Sequence, residues 1–270
     1  MREVTIAVAQ MSPVLNQIEQ NLSTMCKMVE DVCLQQKVDI IVFPELCTTG
    51  YECGVRFADL AERVPGHAVN VLGKRAAEYG THIVFGLAEK QKVESVIYSA
   101  AVLIDPEGEV LADYQKVHLR GEQRLAFRPG FKFVTAETRF GVVGLLVGWD
   151  LAFPEAARCL ALEGAELICV CGSWESPQEN EWRSYCFARA YENAVFLAAC
   201  NRVGEEPTYS FFGESMIVGP RGAVHARLTE SEPGIVLATI DLDQARRYQE
   251  ETQLLQARQP RSYREVVKMY

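Results

Sequence analysis

The sequence predicts an α/β fold, a layered sandwich built around a mixed β-sheet system. Short apolar runs that read as buried strands alternate with longer segments whose apolar residues recur at helical spacing. Two further segments have the strand–turn–strand pattern of antiparallel hairpins, which a purely parallel sheet would lack. No stretch rich in proline, glycine and serine divides the chain, so we expect one domain over residues 1–270.

The first half of the chain opens with a strand, a helix and a second strand. Asp39–Phe43 is almost wholly apolar and ends at Pro44, which favours a strand buried on both faces. Asp105–Gly108 contains proline and glycine and predicts the turn of the first hairpin. The predicted strands are Val4–Ala9, Asp39–Phe43, Ile83–Leu87, Val96–Ile104 and Val110–Tyr114, and the predicted helices are Asn21–Gln36 and His67–Tyr79.

The second half continues the alternation and ends in a polar tail. Gly219–Gly222 predicts the turn of the second hairpin. Residues 252–270 contain three arginines, and we expect either a solvated C-terminal arm or an arm that docks on a partner subunit. The predicted strands are Val142–Val147, Leu167–Cys171, Val195–Asn201, Ser215–Val218, Val224–Leu228 and Ile235–Ile240, and the predicted helices are Pro154–Glu163, Trp182–Asn193 and Leu242–Glu251.

Composition narrows the class of protein. Hydrophobic residues make up 49% of the chain, which is ample for a core, and the net charge of −9 argues against nucleic acid or an anionic membrane as partner. No apolar run approaches the roughly 20 residues of a spanning helix, and no signal peptide is evident. The nine cysteines lie partly in apolar runs, as in reduced thiols of a cytoplasmic protein. The four histidines lack metal-ligand spacing and no phosphate-binding glycine motif occurs, so we expect no metal and no cofactor.

Reactive groups follow three of the predicted strands. Glu45 follows the second strand, Lys116 follows the first hairpin, and Gly148 follows Val142–Val147. Ligands of open α/β sheets gather at the carboxyl ends of strands, and a Glu and a Lys there can act as general base and oxyanion stabiliser. From the pattern alone, a solvated turn glutamate and a surface lysine explain the same residues.

The amino-acid sequences of these segments are more specific than their positions after strands. FPEL (Phe43–Leu46), YQKVHL (Tyr114–Leu119) and GWDLAFPEAAR (Gly148–Arg158) resemble the three signature blocks of the nitrilase superfamily of carbon–nitrogen hydrolases, in order and at about the right spacing. Further matches extend the resemblance over most of the chain, at IAVAQM (Ile6–Met11), TTGY (Thr48–Tyr51), RAYENAVFLAACNRVG (Arg189–Gly204) and FFGESMIVGPRG (Phe211–Gly222).

The resemblance implies a fold and a set of catalytic residues. The fold would be a four-layer α-β-β-α sandwich of two mixed sheets. Glu45 would be the general base and Lys116 the oxyanion stabiliser of a reaction in which a cysteine thiolate forms a thioester that water hydrolyses. The short loop after Lys116 is closer to amidases than to nitrilases, so a small aliphatic amide or an N-carbamoyl amine is the expected substrate, with a nitrile as the alternative.

The nucleophile position departs from the family pattern. The family has cysteine immediately before the aromatic–Asp pair, whereas this chain has Gly148 before Trp149 and Asp150. We therefore expect the chain to be inactive or nearly so. Three explanations stay open: an engineered knockout, which the otherwise intact blocks favour; a natural pseudoenzyme that binds a small amide or a protein partner; or a substitute nucleophile such as Cys171 or Cys47.

The resemblance implies further site residues, and each of them has an alternative position or role. The second, assisting carboxylate is expected at Glu122, but a register shift of one residue would put Gln123 in that position. Tyr51, Trp149 and Trp174 are candidates for substrate contact, with core packing as the alternative. Family members pair through helices, so we expect a homodimer or larger homo-oligomer with the helix Trp182–Asn193 as a contact.

Overall fold

The structure is a computed structural model that describes residues 1–91 and 96–268. Two six-stranded mixed sheets and a two-stranded ribbon form its β-structure. The strands are β1 Glu3–Gln10, β2 Ile40–Val42, β3 His82–Lys90, β4 Ile97–Ile104, β5 Val110–Gln115, β6 Thr135–Glu137, β7 Val142–Val147, β8 Leu167–Cys171, β9 Phe196–Cys200, β10 Val203–Glu205, β11 Ser210–Phe212, β12 Met216–Val218, β13 Val224–Arg227 and β14 Gly234–Asp241. The α-helices are α1 Ile18–Cys33, α2 Phe57–Leu60, α3 His67–Tyr79, α4 Gln123–Ala126, α5 Pro154–Leu162, α6 Glu179–Asn193 and α7 Asp243–Thr252.

Each large sheet has a parallel centre and antiparallel edges. The first sheet has the order β14-β1-β2-β3-β4-β5, and its parallel pairs are β1–β2 and β2–β3. The second has the order β13-β12-β9-β8-β7-β6, and its parallel pairs are β7–β8 and β8–β9. The helices α1 and α3 connect the parallel strands of the first sheet, and α5 and α6 connect those of the second.

Three apolar clusters define four layers. One cluster contains residues of both sheets, for example Val42 on β2 and Val147 on β7, and so lies between them. A second joins the other face of the first sheet to α1 and α3, and a third joins the second sheet to α5 and α6. The predicted α/β sandwich of two mixed sheets with outer helices is therefore confirmed.

The long, periodic elements match the prediction best. The helix α3 and the strands β7 and β8 have the predicted bounds, whereas α1 lies three residues earlier than predicted at both ends. The prediction lacks β6, β10, β11 and the four-residue helices α2 and α4. Elements of three or four residues are too short to show a period, even where the pairing partner is near in sequence, as for Glu137 of β6 against Val142 of β7.

The C-terminal arm is described as far as residue 268, and residues 269 and 270 of the predicted arm lie outside the described residues. Two 3-10 turns, Pro260–Ser262 and Arg264–Val267, follow α7. Residues 252–268 are exposed except for half-buried Leu255 and Arg258. None of the helices in residues 1–91 and 96–268 combines the length and apolar character needed to cross a bilayer.

A half-buried carboxyl on β5 makes stability depend on pH. Asp113 lies near Glu89 and Lys132, and its Oδ1 has no hydrogen-bond partner within residues 1–91 and 96–268. Burial, reinforced by the charge of Glu89 and opposed by that of Lys132, raises the pKa of Asp113 from 3.8 to about 7. The folded state therefore binds the proton of the Asp113 carboxyl group more tightly than the unfolded state does. Ionisation of Asp113 lowers the free energy of unfolding as pH rises from about 4 to 7.

We expect Asp113→Asn to be more stable than the unchanged protein at pH 8. The difference should be about 1–4 kcal/mol, since each pH unit of pKa shift corresponds to about 1.4 kcal/mol. It should shrink toward pH 4, where both forms carry a neutral side chain. Urea unfolding at pH 4, 6 and 8 measures it, with the exposed Asp59→Asn as the matched control. A difference that is independent of pH would contradict this account.

Candidate functional site

Glu45 lies in a tight turn after β2, at the carboxyl end of the first sheet's parallel centre. The turn packs directly on Gly86 of β3, where a Cβ atom would lie 2.5 Å from Glu45 Cα and 2.7 Å from Pro44 O. Only glycine permits this approach. The backbone N–H of Glu45 donates to Gly172 O at 3.2 Å, and Ser173 Oγ donates to Glu45 O at 3.2 Å. The glutamate is thereby fixed to both sheets.

The Glu45 carboxylate is almost completely buried, with 1% of the residue exposed. Its Oε1 accepts three hydrogen bonds, from Ser99 Oγ at 2.9 Å, Lys116 Nζ at 2.8 Å and Gln123 Nε2 at 2.9 Å. Its Oε2 faces Gly148. One oxygen is therefore held by donors, while the other points to the predicted nucleophile position.

Lys116 follows β5 and is 2% exposed. Its Nζ donates to Glu45 Oε1 at 2.8 Å and to Gln123 Oε1 at 2.7 Å. Two of its three protons are thus used, and Nζ also lies 2.8 Å from where a Cβ of Gly148 would be. A buried ammonium in this place is suited to meet negative charge that develops beside Gly148.

In the loop that follows Lys116, the side chain that reaches Glu45 and Lys116 is an amide rather than a carboxylate. Gln123, at the start of α4, lies between Glu45 and Lys116: its carbonyl accepts from the lysine and its NH₂ donates to the glutamate. Glu122 is exposed, and neither Glu45 nor Lys116 bonds to it among the described residues. Of the two candidates for the assisting position, the geometry brings Gln123 into the site and leaves Glu122 at the surface.

Gly148 begins a 3-10 helix, Gly148–Ala152, directly after β7. Its φ of +47° lies in the left-handed region, where L-residues other than Asn and Asp are strained. A Cβ here would lie 2.8 Å from Lys116 Nζ and closer still to Glu45 Oε2. The ends of both flexible side chains therefore occupy space that a side chain at 148 would need.

Asp150 holds this turn in place and is fully buried. Its Oδ2 accepts from Tyr114 OH at 2.7 Å and from the N–H of Val147 at 3.3 Å. Its Oδ1 accepts from the N–H of His118 at 2.9 Å and lies 2.8 Å from His118 Nδ1. These contacts stabilise the turn at Gly148 and tie it to β5, the strand that precedes Lys116.

The predicted contact residues line a small cavity above Glu45 and Lys116. Tyr51, Trp149 and Trp174 all face it, and Trp174 Nε1 donates to Gly148 O at 3.2 Å. The cavity encloses about 20 Å³, which is room for about one water molecule. A ligand as large as a short amide requires its rim to open.

The rim is closed by a network that the sequence did not indicate. Arg120 donates through Nη2 to Glu175 Oε1 at 2.8 Å and through Nη1 to Gln178 Oε1 at 2.8 Å. Its guanidinium also lies 5.9 Å from the ring centroid of Trp149. Ser99 was likewise missed, although a serine in the apolar strand β4 is the kind of buried polar residue that signals a partner.

The two cysteines considered as substitutes are poorly placed for nucleophilic attack. Cys171 pairs with Val147 in the β7–β8 ladder, and burial raises the pKa of its thiol well above the usual value. Cys47 donates to Gly86 O at 3.3 Å, and burial raises its pKa to about 12. Both thiols stay protonated at neutral pH. Within residues 1–91 and 96–268, no group of three or more His, Cys, Asp or Glu side chains is arranged to hold a metal ion.

Comparison with known proteins gives a consistent picture. Residues 5–250 match the family model of the carbon–nitrogen hydrolases. A probable nitrilase of Schizosaccharomyces pombe is 40% identical over 247 residues, which cover 90% of this chain and 91% of that protein. A 2-oxoglutaramate amidase of Bacillus subtilis is 35% identical over 213 residues, 77% of this chain and 80% of that protein.

Solved structures agree with the sequence relatives. An amidase from Nesterenkonia sp. AN1, solved with the acetamide moiety of fluoroacetamide added covalently at its active-site cysteine, has a TM-score of 0.86 at 28% identity. The match covers 97% of this chain and 96% of that one. The family model and these relatives together establish that the chain belongs to the carbon–nitrogen hydrolase family within the nitrilase superfamily.

Proposed function

We propose that the Glu45–Lys116 site is a small-amide site of carbon–nitrogen hydrolase type that lacks its nucleophile at Gly148. One observation carries the proposal. The carboxamide of Gln123 is already bound between the two charged groups, with its oxygen on Lys116 Nζ and its NH₂ on Glu45 Oε1. The same pair of groups can bind the oxygen and nitrogen of a ligand amide at the remaining directions, Glu45 Oε2 and the third Lys116 proton.

The chemistry of the family explains what Gly148 removes. In the thioester route, Glu45 would take the thiol proton, sulfur would bond to the amide carbon, and Lys116 would stabilise the oxyanion. The carbon–nitrogen bond would break as Glu45 passes its proton to the leaving ammonia or amine. Glu45, ionised again, would then take a proton from the water that attacks the thioester, and the carbon–sulfur bond would break to release the acid and return the thiol. Glycine offers no sulfur, so the carbon–sulfur bond cannot form, while the binding groups stay in place.

The amide side chain at position 123 helps to distinguish the explanations for glycine at position 148. An engineered knockout requires one substitution, so that explanation predicts a site in which every other catalytic residue is intact. With Gln123 in the assisting position, the chain differs from the family pattern in two catalytic groups. This double departure favours a natural non-catalytic protein that binds a small amide.

The ligand could be a nitrile or an amide, since the relatives are named for both. They include both nitrilases and amidases. A nitrile nitrogen accepts hydrogen bonds but donates none, whereas Glu45 requires a donor. An amide or N-carbamoyl amine therefore suits the site better than a nitrile does. Single-domain organisation, cytoplasmic location and homo-oligomeric assembly through α6 stay predictions.

We expect the unchanged protein to bind short amides without hydrolysing them. The measurement pairs ammonia release with isothermal titration calorimetry, using acetamide, butanamide, N-carbamoylmethylamine and butyronitrile. Binding of an amide with no ammonia above the buffer rate is the expected result. Sustained ammonia release would contradict the loss of the nucleophile's function, and the absence of binding by any amide would contradict the proposed site.

A further inference from the structure

Arg120 is the cationic side chain at the rim of the cavity whose bottom is formed by Glu45 and Lys116. The buried lysine is committed to two acceptors, Glu45 and Gln123. Arg120 is 41% exposed, and its partner Glu175 is 17% exposed. Among the described cavity-lining residues, these two carry the only charges besides Glu45 and Lys116, so a charged ligand group at the rim would meet Arg120 and Glu175.

The hydrogen bonds of Arg120 do not use its guanidinium for a two-armed contact with one carboxylate. A guanidinium has five N–H donors and binds a carboxylate best through two parallel hydrogen bonds. Arg120 instead sends one donor to Glu175 Oε1 and another to Gln178 Oε1, so no carboxylate is bound by both arms of the fork. A carboxylate that replaced Glu175 could take both.

Glu175 keeps one hydrogen-bond donor when Arg120 leaves it. Its Oε1 also accepts from Gln178 Nε2 at 2.8 Å, so one donor is kept when Arg120 turns away. Its backbone is fixed by a bridge to Phe211 and by the Ser176 N–H bond to Ser210 O at 2.9 Å. An ion pair with a half-exposed partner is weak. Exchange of Glu175 for a ligand carboxylate therefore breaks little and opens the cavity at the same time.

We propose that Arg120 is a specificity-determining residue that selects small amides carrying a carboxylate at the end remote from the amide. The proposal rests on the proposed function of the Glu45–Lys116 site. The amide group binds beside Gly148, Arg120 releases Glu175, and the guanidinium takes the ligand carboxylate while lying over the ring of Trp149. The half-amides of short dicarboxylic acids are the simplest members of this class.

The test compares ligands that differ in the charge of one end. Isothermal titration calorimetry is run with the unchanged protein and succinamic acid, glutaramic acid, their neutral counterparts butanamide and pentanamide, and the cationic 4-aminobutanamide. At least one half-amide should bind about tenfold or more tightly than its neutral counterpart, as expected for a charge-assisted bidentate contact. Arg120→Gln should abolish this preference, so that each half-amide binds no more tightly than its neutral counterpart, and Arg120→Lys should retain only part of it.

Arg128→Gln is the matched control, because it removes the same charge from an exposed side chain on the nearby loop. It should keep the preference. Equal affinity for half-amides and neutral amides, a preference that survives in Arg120→Gln, or tighter binding of 4-aminobutanamide would overturn the role of Arg120 while leaving the amide site intact. No binding of any of the five probes would overturn the amide site itself.

Discussion

The double variant Gly148→Cys/Gln123→Glu should release ammonia from short amides at least about 10³ times faster than the unchanged protein. Removal of a catalytic nucleophile in a hydrolase typically costs several orders of magnitude in rate, and its return should recover a large part of that factor. The groups that would activate the thiol are already present: Glu45 Oε2 and Lys116 Nζ are the atoms nearest to a Cβ at position 148. Ammonia release from a panel of short amides, at matched protein concentration, measures the gain.

Each single change should fall well short of the double. Gly148→Cys supplies the sulfur, but Gln123 bonds both charged groups as a neutral amide and cannot carry charge. Gln123→Glu adds a carboxylate beside Lys116 but supplies no nucleophile. Because the two groups act on one reaction, their effects should be non-additive.

The cysteine should also lower stability. At φ +47° any Cβ is strained, and the ends of Glu45 and Lys116 must move to admit it. We expect Gly148→Cys to lower the free energy of unfolding by about 1–3 kcal/mol. Gly148→Ala/Gln123→Glu is the matched control, since it has the same strain and the same carboxylate without the thiol. A folded double variant no faster than this control would contradict the assignment of Gly148 to the nucleophile position.

The fold was predictable because its main elements carry strong local signals. The strands β7 and β8 are buried on both faces and therefore read as continuous apolar runs, and α3 is bounded by Gly66 and Gly80. By contrast, β6 and the β10–β11 ribbon owe their existence to pairing between segments rather than to their own sequence. Both pairings are local in sequence, but β6, β10 and β11 have three residues each, which is too few for an alternation of apolar and polar residues to be recognised.

The site was predictable at its centre and not at its margins. Glu45, Lys116 and Gly148 each follow a strand, but β2 and β5 belong to one sheet and β7 to the other. The family resemblance of their segments, rather than strand assignment alone, therefore predicted that they share one site. The choice between Glu122 and Gln123 depends on the turn that starts α4, which rotates one side chain inward and the next outward. Arg120 gives no signal in sequence, because its role depends on Glu175 and Gln178 from a distant loop.

Lys116→Met should lower the free energy of unfolding by about 3–5 kcal/mol, since removing one member of a buried ion pair leaves the other charge uncompensated. Glu45 and Lys116 are 1% and 2% exposed, so water cannot replace the lost partner without opening the core. Ser99 and Gln123 still donate to Glu45 Oε1, which places the expected loss toward the lower end of the range. Urea unfolding at pH 7 measures it, and Lys74→Met, at an exposed position of α3, is the control.

The cause of that loss can be isolated by removing the second charge as well. In Glu45→Gln/Lys116→Met the buried anion is replaced by a neutral amide of nearly the same shape, so most of the lost stability should return even though both charges are gone. The pair would then stabilise the fold little, and ligand binding would explain why the proposed non-catalytic protein retains it. This double variant should accordingly bind no short amide. Stability no better than that of Lys116→Met would instead assign the loss to packing and hydrogen bonds around the lysine, and retained amide binding would contradict the role of the pair as the ligand's anchor.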